Sequence, residues 1–193
     1  LNGTLKLSEN LTTISYLTFA YCSGISGELV IPDSVKTIHY NAFRSMSNIT
    51  SVVLGEGVAA IGTSGYDTTG NCPFYGCTGI KEVTFKGTAV PARYPADIFY
   101  SMDALETVYV PAESYSAYVN ALSAYVNNGR IMMSDSNADD DFIISKKTLL
   151  LYQGKGGDIE IPAGVESIGA SAFQNCTTIT SVKLNNELKS IGS

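Results

Sequence analysis

The chain has 193 residues, of which 45% are hydrophobic and 16% charged, so it can bury a core and is not a disordered chain. Its net charge of −6 disfavours nucleic acid and anionic membranes as partners, because both are bound through Lys and Arg patches. No apolar run approaches the roughly 18–20 residues of a membrane-spanning helix, so membrane insertion is not expected. The sequence shows neither an initiating Met nor a signal peptide or anchor, which indicates a mature or trimmed piece.

Internal repeats dominate the sequence. Residues 27–62 align without a gap on residues 157–192, and fourteen of the 36 positions are identical. Each copy reads as a short strand, a Pro turn, two spaced aliphatic residues and an Ala-Phe pair. A small or sulfur-bearing residue and a further aliphatic residue follow. Chance does not produce such an alignment, so the repeat is the main evidence for the fold class.

Further copies fill the first two thirds of the chain. The first begins near Leu7, and the second is the one at 27–62. The third begins at Leu54 and carries about eight extra residues within 63–72 before the pattern resumes at Phe74. The fourth begins at Phe85 and is irregular, and Val110 opens a fifth that does not follow the template.

The fifth copy turns helical. Its apolar positions recur at spacings of three and four residues, at Tyr118, Val119, Leu122, Tyr125 and Val126. This pattern predicts a helix at 113–127, with Glu113 or Ser114 at its start and Gly129 at its C-terminal cap. A helix that covers the last open rung of a solenoid closes the array, so we expect a first domain at 1–133.

A second array follows an acidic segment. Residues 134–141, SDSNADDD, lack apolar side chains and are predicted to be a linker. Their Asp-x-Asn-x-Asp spacing resembles the start of a calcium loop, but Asp140 and Lys146 stand where that loop needs Gly and Glu. We therefore favour a solvated linker over a calcium site. Residues 142–193 are predicted to form a hairpin, one full repeat and part of another.

The repeat length of 23–25 residues lies in the leucine-rich-repeat range and predicts a solenoid whose copies each add one strand to a parallel sheet. Pro32, Pro111 and Pro162 should end the strands, because Pro removes a backbone donor. The Phe of each copy should join an internal aromatic column made of Phe19, Phe43, Phe74, Phe99 and Phe173.

The pattern I-P-x-x-V-x-x-I-x-x-x-A-F-x-x-C-x-x-I-x-x-V closely resembles the BspA-like leucine-rich repeats of bacterial surface proteins. Residues 108–122 resemble the helical end piece of such arrays, and residues 141–162 resemble their opening hairpin and first strand. The resemblance implies a cell-surface or secreted, non-enzymatic protein. It implies nothing about the identity of a ligand.

Three of the four cysteines, Cys22, Cys77 and Cys176, occupy a repeat position that other copies fill with Met, which indicates a buried apolar position rather than a ligand set. Cys72 lies in the insertion, five residues before Cys77. A Cys72–Cys77 disulfide is one interpretation, and free thiols are the favoured one.

The candidate site lies where the copies differ. Outward strand positions should line the exposed sheet face at Val30, Val53, Thr84 and Tyr109, whose polar equivalents are Lys6, Glu160 and Lys183. Ordinary strand propensity explains the same residues without any function. The insertion, with Tyr66 and Asp67 near its tip, is the second candidate, because insertions often decorate a binding face.

No residues are placed for catalysis or metal binding. His39 is the only histidine, and no nucleophile or carboxylate shares its motif. We therefore expect no enzyme, no cofactor and no metal. The leading hypothesis is an adhesin-like module that recognises a protein or glycan partner, for example one from a host. The alternative is a structural spacer of a larger surface protein. Uncapped ends further predict head-to-tail contact between molecules.

Overall fold

The computed structural model describes residues 3–63, 72–95, 98–126, 130–134 and 141–192, with the backbone alone at 63, 130 and 145. The chain divides into two compact units, Leu1–Ser134 (unit 1) and Asp135–Ser193 (unit 2). The predicted linker lies almost wholly outside the described residues. Each unit is a stack of repeat rungs, and the leucine-rich-repeat solenoid predicted from the sequence is confirmed.

The main sheet of unit 1 is parallel, and each strand comes from one rung. In the described residues its strands, in spatial order, are β2 (Gly27–Ile31), β4 (Ile49–Leu54), β6 (Glu82–Phe85), β7 (Thr107–Val110) and β8 (Arg130–Met133). Strands β2 and β7 each end at the residue before a proline, as predicted. The irregular fourth copy of the repeat therefore still supplies its strand.

Unit 1 also contains a second and shorter parallel sheet. It is formed by β1 (Thr13–Ile14), β3 (Thr37–His39) and β5 (Ala60–Thr63). Sequence reasoning expected one strand in each copy and missed this one. The reason is its length: two to four residues around a single buried Ile carry no measurable alternation of apolar and polar positions.

The interior of unit 1 consists of the aliphatic positions of the repeat. Leu29, Ile38 and Ile49 are fully buried, and the same positions of the other rungs form the rest of the core. The predicted aromatic column is confirmed in part: Phe43 stacks on Phe19 and Phe74, with ring centroids 5.5 and 5.4 Å apart. Phe99 is also buried, but among the described rings it stacks on none.

Tight turns before and after each Phe close the rungs. The second residue after the Phe has a positive φ in every described copy, and it is Tyr21, Ser45, Gly76, Ser101 or Asn175. Left-handed backbone favours Gly and Asn and costs other residues energy. The backbone N–H groups in these turns donate to carbonyls of the next rung, for example from Ser45 to Tyr75 at 2.8 Å. The turns are therefore part of the stacking ladder.

The predicted helix is present and shorter than expected. Helix α1 spans Tyr115–Leu122, flanked by 3-10 turns at Ala112–Ser114 and Ser123–Tyr125. Ser114 stands at the N-cap, but its hydroxyl donates to the carbonyl of Thr88 instead of capping the helix. Gly129 lies outside the described residues. Strand β8 then follows α1 and pairs with β7, a fifth strand that sequence reasoning did not foresee.

Unit 2 begins with the predicted hairpin, β9 (Phe142–Ser145) and β10 (Thr148–Tyr152), which are antiparallel. Strand β10 then pairs in parallel with β12 (Ser167–Ile168), which pairs with β14 (Ser190–Ile191). A second pair consists of β11 (Gly157–Glu160) and β13 (Ile179–Lys183). The core of this unit contains Leu149, Ile161, Val165, Ile168 and Ala172, with Phe173 packed against it.

The cysteines are thiols in the structure. Cys72 and Cys77 are both fully buried, and their Sγ atoms donate to the carbonyls of Ile98 and Phe43 at 2.8 and 3.1 Å. Burial raises the pKa of Cys77 to about 11. Both thiols therefore serve as buried packing groups with a weak donor, which agrees with the favoured interpretation.

Candidate functional site

Four of the predicted site residues lie side by side on the main sheet of unit 1. The strand register pairs Val30 with Val53, Val53 with Thr84, and Thr84 with Tyr109. Met132 of β8 continues this row beyond Tyr109. We call these five residues the strand row. Because side chains alternate along a strand, the row points away from the buried positions Leu29, Val52, Val83 and Val108.

The strand row is most exposed at its beginning. Val30 has 44% of its surface exposed, Val53, Thr84 and Tyr109 are partly buried, and Met132 is only 7% exposed. The accessible apolar surface is therefore centred on Val30 and Val53 rather than spread evenly along the sheet. Sequence reasoning missed Met132 because it predicted no strand after α1.

A polar row runs beside the strand row on the same face. It contains Glu28, Ser51, Glu82 and Thr107, which pair in register from β2 to β7. Glu28 and Glu82 are exposed. The face therefore combines an apolar centre with two carboxylates, an arrangement that fits a partner with apolar groups and hydrogen-bond donors.

An ion pair lies just beyond the ends of these strands. The Lys86 ammonium lies 3.2 Å from a carboxylate oxygen of Asp33, which also accepts a hydrogen bond from the backbone N–H of Glu56 at 3.0 Å. The Glu56 N–H and then Lys86 hold the pKa of Asp33 below its ordinary value. Asp33 therefore stays charged at neutral pH and ties three rungs together.

Unit 2 has a different pair at the same repeat position. Glu160 and Lys183 correspond to Val30 and Val53, and their charged groups lie 2.9 Å apart. Both side chains are more than half exposed. The same fold therefore accepts either an apolar pair or an ion pair here, so stacking alone does not require the valines of unit 1.

Tyr66 and Asp67, the second predicted site, lie outside the described residues. His39 is partly buried at the end of β3 and takes part in the short sheet. Across the described residues no three His, Cys, Asp or Glu side chains are grouped so that they could hold a metal ion. In the same part of the chain no helix has the length and apolar character needed to cross a bilayer.

A row of planar side chains on the turns, partly buried at Arg44 and Tyr75 and exposed at Tyr100, was not foreseen. The residue after the Phe of each rung is Arg44, Tyr75 or Tyr100 in three successive rungs. The Arg44 guanidinium lies 4.4 Å from the centre of the Tyr75 ring, and Tyr75 stacks on Tyr100 with centroids 5.7 Å apart. We call these three residues the turn row. The signal was present in the sequence as a repeat position occupied by large planar side chains.

The parallel sheets, the repeat rungs and the buried Phe column define a leucine-rich-repeat solenoid. The family model for the BspA type leucine rich repeat region matches six copies, at residues 2–70, 63–138 and 150–193. The chain belongs to this family of BspA-type leucine-rich-repeat proteins.

A comparison with solved structures found matches from several bacteria. The pneumococcal vaccine antigen PcpA matches 67% of this chain at 18% identity and a TM-score of 0.50. A leucine-rich cell surface protein of Faecalibacterium prausnitzii matches 95% at 23% identity and a TM-score of 0.39. A leucine-rich repeat protein of Bacteroides ovatus matches 97% at 15% identity and a TM-score of 0.30. The first of these shows a shared fold and no more.

The chain spans 29%, 48% and 56% of the lengths of these three structures, respectively. A comparison with functionally characterised protein sequences gave no significant match. The activity of a whole protein therefore does not transfer to this chain from any of them.

Proposed function

We propose that this chain is a non-enzymatic binding module of a bacterial cell-surface or secreted protein, and that the strand row contacts a protein or glycan partner. One observation carries the proposal. Val30 and Val53 form an accessible apolar pair on a sheet face, at a repeat position where unit 2 has an ion pair. A partner that covered the pair would gain roughly 25 cal/mol for each Å² of apolar surface removed from water.

The surface location rests on the relatives. The pneumococcal protein is a vaccine antigen, and the Faecalibacterium protein is a leucine-rich cell surface protein. The family itself is a repeat region rather than a catalytic domain. An extracellular binding module agrees with these names, and the net charge of −6 favours partners other than nucleic acid.

The test exchanges the residue pairs at this repeat position, which are Val30 and Val53 in unit 1 and Glu160 and Lys183 in unit 2. Wild-type protein is screened against a glycan array and a panel of purified extracellular host proteins, and each hit is measured again with the double variant V30E/V53K. This variant places the ion pair of unit 2 in unit 1, so the fold should tolerate it. We expect binding to weaken about tenfold or more, because charged groups would have to lose water in the interface.

The matched control is E160V/K183V, which makes the reverse exchange in unit 2 and should leave the affinity unchanged. A hit that binds V30E/V53K as tightly as wild type would contradict the strand row as the contact face. The absence of any hit would favour the second candidate, a spacer within a larger surface protein. Head-to-tail contact between molecules stays a prediction, to be checked by light scattering at high protein concentration.

A further inference from the structure

The turn row ends at a cavity. Arg44, Tyr75 and Tyr100 are contributed by successive rungs, and each planar group lies against the next. The following rung is replaced by α1 and its flanking turns, so it contributes no further member to the row. Tyr100 lines a cavity of about 160 Å³, which Tyr125 lines as well. We call this cavity the tyrosine pocket.

The size of the tyrosine pocket limits what it can bind. Pockets for cofactors and drug-sized ligands measure roughly 300–1,000 Å³, whereas a cavity of about 150 Å³ takes a molecule the size of benzene. At about 160 Å³ the pocket therefore fits one planar group or one side chain. Its lining includes three buried apolar residues, Phe99, Met102 and Leu105, each less than 8% exposed.

The polar chemistry of the pocket favours a cation. Asp103 lines it with an exposed carboxylate, which has no ion pair or hydrogen bond with any residue that the structure describes. Glu106, three residues later, is paired with Lys81 at 3.8 Å. Aromatic faces attract cations, and a nearby carboxylate adds a directed partner for N–H donors.

We propose that the tyrosine pocket binds the guanidinium group of an arginine side chain that belongs to a partner protein. Arg44 shows the same chemistry at the other end of the turn row, where its guanidinium lies over the ring of Tyr75. A second guanidinium in the pocket would lie between Tyr100 and Tyr125 and donate hydrogen bonds to Asp103. The guanidinium suits this position because it is planar and has several N–H donors.

This inference rests on the proposed function only in taking the partner to be a protein. It concerns the turns and not the sheet face that bears the strand row. Variants of the pocket and variants of the strand row therefore test the two proposals separately, and a small probe can test the pocket without knowledge of the partner.

The probe is the tripeptide acetyl-Gly-Arg-Gly-amide, titrated into the ¹⁵N-labelled full chain and followed by NMR. We expect saturable shifts at the amides of residues 99–105 and Tyr125, with a dissociation constant in the millimolar range, near −4 kcal/mol. Three comparison probes identify the chemistry: the citrulline tripeptide, which is neutral, free arginine amide, and methyl glucoside as a glycan. The citrulline peptide and the glucoside should give no saturable shifts there.

Two variants assign the binding energy. Asp103→Asn and Tyr125→Leu should each weaken binding of the arginine peptide by about fivefold, which is the upper end for an exposed ion pair or cation–π contact. Glu106 is a neighbouring carboxylate that does not line the pocket. Glu106→Gln should leave the dissociation constant within about twofold, since salt screens an exposed charge outside the pocket. Unchanged cross-peaks elsewhere in each variant spectrum show that the fold is intact.

Several results would overturn the proposal. Equal shifts with the citrulline peptide would show that charge is not recognised, and saturable binding of methyl glucoside alone would identify a glycan site instead. Equal weakening by Asp103→Asn and Glu106→Gln would indicate general attraction to an acidic protein. Binding of free arginine amide much more tightly than the peptide would point to a free small molecule rather than a protein side chain.

Discussion

Tyr21 is a residue whose type does not suit the backbone conformation that the repeat imposes at its position. Its φ is 63°, in a turn where other rungs have Ser, Gly or Asn, and its side chain is 65% exposed. The left-handed conformation costs an ordinary L-residue about 1–2 kcal/mol, and an exposed ring returns little of it by packing. The turn survives because the Tyr21 N–H donates to the Arg44 carbonyl at 2.7 Å.

Tyr21→Asn should therefore stabilise unit 1 by about 0.5–1 kcal/mol and raise its melting temperature by about 2–4 °C. Thermal unfolding followed by circular dichroism measures the change. The control is Tyr16→Asn, because Tyr16 is also exposed but has no left-handed backbone and stacks on Tyr40 at 4.3 Å. We expect the control to lower the melting temperature, and equal effects of the two variants would contradict the strain argument.

Among the elements, α1 is attached to the irregular fourth rung by several hydrogen bonds, and Tyr118 makes two of them. The Tyr118 hydroxyl lies 2.7 Å from the Gly87 carbonyl oxygen and 3.0 Å from that of Ala89, and it donates its proton between them. The ring is 1% exposed and lies 5.1 Å from the Phe85 ring, centre to centre. Burial raises the pKa of Tyr118 to about 12, so its hydroxyl stays a donor at neutral pH.

Tyr118→Phe should lower the free energy of unfolding of unit 1 by about 1–2 kcal/mol, because it removes the donor and leaves two carbonyls without it. Urea unfolding measures this loss. Tyr109→Phe is the matched control: the Tyr109 hydroxyl has no hydrogen bond with a described residue, so the change should stay within about 0.5 kcal/mol. If Tyr118→Phe proved neutral, the two hydrogen bonds of its hydroxyl would not contribute to the attachment of the helix.

For the whole molecule, the two units use one repeat with different surface chemistry. Glu166 of unit 2 lies between Lys147 and Lys189, with both ammonium groups 2.6 Å from its carboxylate oxygens. These hydrogen bonds, from Lys147 first and then Lys189, lower the pKa of Glu166 to about 2. Unit 1 has Lys36 and Ala59 at the positions of Glu166 and Lys189, so this charge row belongs to unit 2 alone.

The lowered pKa predicts an acid-sensitive contribution to the stability of unit 2. Because the folded-state pKa lies below the ordinary value of 4.5, the contribution is present above about pH 4.5 and is lost as the pH falls towards 2. A ¹³C NMR titration should give a midpoint near 2 for the Glu166 carboxyl. In Glu166→Gln the stability of unit 2 should fall less steeply over this pH window.

Glu187→Gln serves as the control for this pH dependence. Its carboxylate makes no ion pair with a described residue, and its coulombic attraction for Lys147 is weaker than that of Glu166, so most of the steep loss of stability between pH 4.5 and 2 should remain. A titration midpoint near 4.5 for Glu166 would contradict the geometry of the charge row. Equal pH profiles for Glu166→Gln and wild type would show that other carboxylates cause any acid sensitivity.

The repeat could be recognised from the sequence, because residues that stack on one another in successive rungs must recur at a fixed spacing. Ile31, Val35, Ile38 and Phe43 recur at fixed spacing, and the structure buries each of them completely. The outward residues Val30 and Val53 followed from the same spacing, since side chains alternate along a strand. Fold class, core and four of the five residues of the strand row were therefore determined by the sequence alone.

Only the tertiary structure decided which residues meet where the repeat pattern breaks. Strand β8 and Met132 joined the sheet because β7 offered an unpaired edge, which no local pattern records. Tyr100 and Tyr125 are 25 residues apart in the sequence and line one cavity because α1 interrupts the succession of rungs. The periodic interior can be read from spacing, whereas a site formed where the period breaks depends on contacts between distant residues.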